Sequence, residues 1–316
     1  MAVHRTARRS LRRAAATVAA VPAIALVAAC SSSGGAPAAG PANSAVAVAS
    51  IERAPSISAP SQAAAARPAA ATRPAAAARP AAAPGSRRVT FVNKVKQTIW
   101  VAAAQNPAHP LATTGWVLPA GHRLTIIVPN HWNGRFWGRT GCVFHHGRGH
   151  CQTGDCNGRL QCTGNGAIPA TLAEYDVDAW DGLDFYDVSM VDGSNLPMYI
   201  NITKGQTKDK ISRNGCVPAG CTKPVRCPSA LRVKAGGKVV ACESACARFG
   251  TDQYCCRGKW APRSECLPAR WPVDYARVFK RAEPYAYSYV DDDATSVFTC
   301  KGRCNYRITF GITPRT

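Results

Sequence analysis

The run Gly149-His150-Cys151-Gln152-Thr153-Gly154-Asp155-Cys156-Asn157-Gly158-Arg159-Leu160-Gln161-Cys162 sets three cysteines among glycines and polar turn residues. Cysteines so spaced serve either metal binding or disulfide bonding. No Cys-x-x-Cys pair occurs anywhere in the chain, so the element that builds a zinc ribbon is absent. The Cys255-Cys256 doublet also suits bridges better than a metal. The reading is a disulfide framework, which persists in an oxidising compartment outside the cytosol.

Working outward, the 316 residues hold 15 cysteines, an odd number that cannot all pair within one chain. The N-terminal end supplies another fate for one of them. Arg5, Arg8, Arg9, Arg12 and Arg13 precede an apolar run from Ala14 to Ala29, which ends Val27-Ala28-Ala29-Cys30. That run is too short for a comfortable membrane span and has the small-residue end of a cleaved export signal. It resembles a bacterial lipobox. Residues 1–29 are therefore expected to be a lipoprotein signal peptide, with Cys30 lipid-modified and holding the chain on the outer face of the cell membrane. The residues after Arg8-Arg9 fit a twin-arginine signal poorly. Fourteen cysteines remain for seven bridges.

Residues 30–88 are dominated by Ala, Pro and Ser, with no aromatic residue to bury. They read as a disordered tether, extended at ~3.1 Å per residue where proline-rich. The formal charge of +21 divides accordingly. Residues 1–88 carry eleven Arg and one acid, giving +10, and residues 89–316 carry the remaining +11. The chain's basicity is thus spread over leader, tether and domain. With no nucleic-acid motif in an exported chain, nucleic acid is not an expected partner.

From Val89 the texture changes to short β-rich runs: Val89–Val92, Thr98–Val101, Leu124–Val128, Arg135–Arg139, Phe185–Ser189, Met198–Ile202 and Asn305–Ile312. Short strands separated by Gly and Pro turns predict a mainly β domain, a sandwich or barrel. Eight cysteines crowd between Cys216 and Cys266, which marks a disulfide-stapled, loop-rich subdomain. Short helices are expected near Cys242–Phe249 and Val273–Arg281.

The opening run, with Thr171-Leu172-Ala173-Glu174-Tyr175, Gly182-Leu183-Asp184-Phe185-Tyr186-Asp187-Val188-Ser189, Val191-Asp192-Gly193, Tyr254-Cys255-Cys256, Phe279-Lys280-Arg281 and Tyr287-Ser288-Tyr289, resembles the thaumatin-like proteins. The resemblance runs from about Val89 to Thr313. It implies a flattened β-sandwich in residues 89–316, with a disulfide-rich lobe at about 216–285 and a cleft between them. By similarity it also implies the bridges Cys142–Cys151, Cys156–Cys162, Cys216–Cys300, Cys227–Cys242, Cys246–Cys255 and Cys256–Cys266. Val95 and Gly311 stand where large plant members join first and last strands. The family partner of Cys221 is replaced near Glu283 while Cys304 is extra, so Cys221–Cys304 is expected as a substitute bridge.

Family members often line the cleft with one Arg and four acids, which fall here on Arg135, Glu174, Asp187, Asp192 and Asp292, with Asp291 and Asp293 as neighbouring alternatives. Carboxylates facing one groove raise one another's pKa while an arginine opposes that. One protonated and one ionised carboxyl is the arrangement glycoside hydrolysis needs. Glu174 is expected as the acid, Asp192 as base or nucleophile and Asp187 as support. Arg135, Asp292, Trp180, Phe185 and Tyr186 are expected to touch substrate. Along a strand Phe185 and Tyr186 point opposite ways, so at least one belongs to the core. The resemblance implies a monomer binding polysaccharide of the β-1,3-glucan type, with weak endo-glucanase or antifungal action. The alternative is a non-enzymatic module binding envelopes, membranes or proteins through its basic surface. His145, His146 and His150 lie in a glycine-rich loop without supporting groups, so no metal is expected, and nothing calls for a cofactor.

Overall fold

The computed structural model describes residues 85–104, 106–209 and 223–313. The expected signal peptide, Cys30, most of the tether, Cys216 and Cys221 lie outside the described residues. The strands are β1 (Arg87–Asn93), β2 (Ile99–Ala103), β3 (Gly115–Leu118), β4 (Arg123–Val128), β5 (Asn133–Arg139), β6 (Val143–His145) and β7 (Arg148–His150). They continue with β8 (Leu172–Asp176), β9 (Leu183–Ser189), β10 (Met198–Gln206), β11 (Arg232–Ala235), β12 (Lys238–Cys242) and β13 (Val297–Phe310). Four short helices follow β12 in the chain: α1 (Ala245–Phe249), α2 (Asp252–Cys255), α3 (Ala276–Ala282) and α4 (Asp293–Ser296).

Nine strands form one continuous sheet in the order β3-β2-β5-β8-β9-β13-β1-β4, with β10 also paired to β13. The long β13 pairs with three strands. Its first residues, Val297–Lys301, pair with β9, and its last, Tyr306–Phe310, pair with β1 and β10. The faces turned inward meet in one aromatic core. Phe91, Phe136, Tyr186, Tyr306 and Phe310 are all buried there. Tyr306 packs against Tyr175 and Tyr186 at ring separations of 5.0 and 5.2 Å. This is the mainly β fold that the short strands predict, with few helices and several disulfides.

The fold starts earlier than expected. Arg87, assigned to the tether from its neighbours, is the first residue of β1 and is buried. Its guanidinium forms a buried ion pair with Asp184 at 2.7 Å, and Tyr306 donates a hydrogen bond to the same carboxylate at 2.6 Å. Removing one partner of such a pair typically costs about 3–5 kcal/mol, because the other charge is left buried.

Five expected bridges are present: Cys142–Cys151, Cys156–Cys162, Cys227–Cys242, Cys246–Cys255 and Cys256–Cys266. Two are not. Cys300 is bonded to Cys304, so neither Cys216–Cys300 nor Cys221–Cys304 forms. Four residues of straight strand span about 13 Å, too far for a disulfide. Here β13 bends at Gly302 (φ 89°) and its pairing with β10 is irregular at Lys204 and Gln206, so the two Cα atoms close to 6.3 Å. Gly205 accommodates the result: a Cβ there would lie 2.5 Å from Cys300 Sγ.

Candidate functional site

Three neighbouring strands place the site. In β8 the alternate residues Ala173 and Tyr175 are buried in the core, which turns Glu174 and Asp176 to the other face. In β9 Asp184, Tyr186 and Val188 point inward, leaving Phe185 and Asp187 outward. The antiparallel registers set Arg135 opposite Glu174 and Glu174 opposite Asp187. A second row, Asn133, Asp176 and Phe185, runs beside the first. Together these rows floor an open cavity of about 450 Å³, which Ala104 and Asn165 help to line.

Arg135 organises one end. Its Nη1 lies 3.3 Å from Asp192 Oδ2 and 3.7 Å from Glu174 Oε1, so both carboxylates share one guanidinium nitrogen. Asp192 arrives from the turn after β9, not from a strand. Gly193 shapes that turn with φ 97°, and its N–H donates to the Met190 carbonyl at 2.9 Å. No larger residue fits without movement, since a Cβ on Gly193 would lie 2.4 Å from the Cys242 carbonyl oxygen.

Burial pushes the Asp187 carboxyl well above its ordinary range, and the nearby charges of Glu174 and Asp293 push the same way. Burial also raises Glu174; Arg135 opposes this and Asp192 adds to it. Among the described residues, Asp187 Oδ1 and Arg135 Nε are buried without a hydrogen-bond partner. The groove therefore offers two carboxyls inclined to hold a proton and a third carboxylate against a cation, with one acceptor and one donor buried unpaired beneath its surface. These groups suit a neutral hydroxyl-bearing ligand.

The other expected residues divide. Phe185 lines the cavity, whereas Tyr186 is a core residue, only 2% exposed, and cannot touch a ligand. Trp180 is 77% exposed at the tip of the β8–β9 connection, outside the cavity. Asp292, expected to touch substrate, does not line the cavity. It is buried in a structural knot, 2.8 Å from Lys280 Nζ, and accepts hydrogen bonds from the Ser288 amide at 3.0 Å and hydroxyl at 2.9 Å. Its neighbour Asp293 is the acid of the triplet that acts on the groove, through its charge on Asp187. Tyr287 donates to Asp293 at 2.6 Å and Arg263 pairs with it, which together hold its carboxyl below the ordinary value.

Asp176 and Asn133 line the groove and were missed. The signal was available: Asp176 lies two residues from Glu174 and so shares its face. Of the loop histidines, His150 sits 3.0 Å from Asp155 Oδ2 on the hairpin end.

The sequence model described as the Thaumatin family matches residues 93–312. The chain is similar to "Pathogenesis-related protein 5" of Arabidopsis thaliana, 45% identical over 224 residues, covering 70% of this chain and 88% of that protein. It is similar to a "Glucan endo-1,3-beta-glucosidase" of Prunus avium, 44% identical over 229 residues, covering 70% and 89%. Among solved structures it is similar to the thaumatin-like xylanase inhibitor TLXI, with a TM-score of 0.36 and 22% identity, covering 70% of this chain and 97% of that one.

Proposed function

The chain belongs to the thaumatin family, and from that premise we propose that it is an exported envelope protein whose acidic groove binds a β-1,3-glucan. One observation carries the reading: the Arg135–Glu174–Asp187 row, with Asp192 at its end, gathered on one sheet face along an open cavity. The Prunus avium relative, named for glucan endo-1,3-beta-glucosidase activity, supports the same substrate class. Six disulfides among the described residues fit an oxidising compartment. Lipidation of Cys30 and the tether would hold the domain away from the membrane.

The same groups can support slow hydrolysis. Two carboxyls that face each other titrate as a pair in two steps, so one proton can leave while the other stays. In this pair Asp187 is the more buried partner and Glu174 the more accessible, so Glu174 delivers the proton to the glycosidic oxygen. As Glu174 becomes an anion, Asp187 retains the neutral form beside it. Asp192, held against Arg135, is the base or nucleophile. Bond cleavage transfers the proton to the leaving sugar, and water adds at C1, giving its own proton to Asp192 where that group acts as base or to Glu174 where Asp192 has attacked.

Replacing Glu174 and Asp192 together by their amides separates binding from turnover. Release of reducing ends from a β-1,3-glucan should vanish, while the domain remains folded. Turnover that survives in the double variant would remove the hydrolytic assignment.

A further inference from the structure

A second groove lies on the disulfide lobe. Residues 223–226 run alongside α3, tied by a hydrogen bond from the Lys223 amide to the Ala282 carbonyl at 2.9 Å. The Cys227–Cys242 bridge pins the end of this segment, and Val225 and Val278 rest on the main core. Between them is a cavity of about 650 Å³ with a floor of Pro224, Val225, Val278 and Ala282. Lys223, Arg226 and Arg281 stand around it.

The charge around this cavity is uncompensated. No Asp or Glu occurs from Lys223 to Cys242, and the adjoining β11–β12 hairpin adds exposed Lys234 and Lys238. None of Lys223, Arg226, Lys234, Lys238 and Arg281 forms a side-chain ion pair among the described residues. Elsewhere on the lobe Arg248, Arg257, Arg263, Arg270 and Lys280 each meet a carboxylate. Clustered unpaired cations raise the local potential and attract a polyanion.

We propose that this groove binds a linear acidic polysaccharide, one carrying a carboxylate on its repeating unit. Arginine forks match a carboxylate in a bidentate geometry. The apolar floor supplies contact for sugar C–H faces between the charges. Among the described residues no aromatic side chain lines the groove, which disfavours stacking of nucleic-acid bases. A concave trough also fits a single polymer chain better than a flat bilayer. The site uses none of the residues of the β5–β8–β9 groove, so either assignment can fail without the other.

The test titrates the full chain with polygalacturonate, its methyl ester and a glycerol-phosphate polymer, over a series of salt concentrations. Poly-glutamate and vesicles of anionic phospholipid test the other polyanions. Expected is binding to the uronate, with its methyl ester and the sugar-free phosphate polymer both much weaker. Arg226→Gln with Arg281→Gln should weaken that binding by about tenfold or more and lower the slope of log K against log salt by about 2. Lys96→Gln with Arg123→Gln removes the same charge from the β1–β2 turn and β4, and should change affinity by less than about threefold. No binding of the uronate, equal losses in both double variants, equal binding of the methyl ester, or tighter binding of the glycerol-phosphate polymer, poly-glutamate or vesicles would overturn the proposal.

Discussion

Glu174 on β8 and Asp187 on β9 are directly opposite one another on the same face of adjacent antiparallel strands. Like charges in that position destabilise a sheet. Burial is the larger cause of the raised Asp187 carboxyl, and the facing charge of Glu174 adds to it. The linkage sign follows. A carboxyl whose folded value is raised costs nothing below its ordinary value, and the cost grows as pH climbs towards the folded value. Asp187→Asn should therefore melt higher than the parent at pH 7 and no higher at pH 3. Every tenfold difference in proton affinity between the folded and unfolded chains corresponds to about 1.4 kcal/mol. Thermal melts across that range check this, and a gain confined to acid would contradict it.

The turn carrying Asp192 depends on Gly193. A methyl group there meets the Cys242 carbonyl and the Pro169 side chain, in a backbone conformation that L residues rarely adopt. Gly193→Ala should cost about 1–3 kcal/mol and move Asp192 away from Arg135. Denaturant unfolding measures the first effect; loss of glycan affinity in the folded fraction measures the second. Unchanged stability would show that the turn is not constrained.

The Cys300–Cys304 bridge encloses Lys301 and Arg303. Trypsin digestion without reduction should thus yield the peptide ending at Lys301 linked to Cys304-Asn305-Tyr306-Arg307. Mass spectrometry of the digest decides the matter, and a link from Cys300 to the peptide containing Cys216 would reverse the assignment.

Trp180 and Tyr186 should behave as opposites. Tyr186 is packed among Tyr175, Tyr306 and Phe298, so truncation to Ala should cost about 3–5 kcal/mol. Trp180→Ala, at an exposed turn, should leave the melting curve within about 0.5 kcal/mol of the parent. A large loss from Trp180→Ala would mean that it packs against the domain.

Much of this architecture was legible in the residues. Alternation predicted that Phe185 and Tyr186 part company, and register then decided which one faces the groove. Glu174, Asp187 and Arg135 came from motifs whose strands turned out to be neighbours. What sequence could not rank was Asp291-Asp292-Asp293, because the answer lies in distant partners: Lys280 and Ser288 claim Asp292, while Arg263 and Tyr287 claim Asp293. The cysteine partners of β13 were hidden for a similar reason, since they depend on a bend that an alternating strand pattern does not announce. Arg87 was hidden by composition, its carboxylate partner being 97 positions away.

The central claim is that the β5–β8–β9 groove is the glucan site, and calorimetric titration with a β-1,3-glucan hexasaccharide tests it most directly. The parent should bind, and Asp176→Ala with Phe185→Ala, which strips the second row of the groove floor, should weaken binding by about tenfold or more if each contact contributes about 1 kcal/mol. A parent that shows no binding, or a double variant with unchanged affinity, would contradict the account.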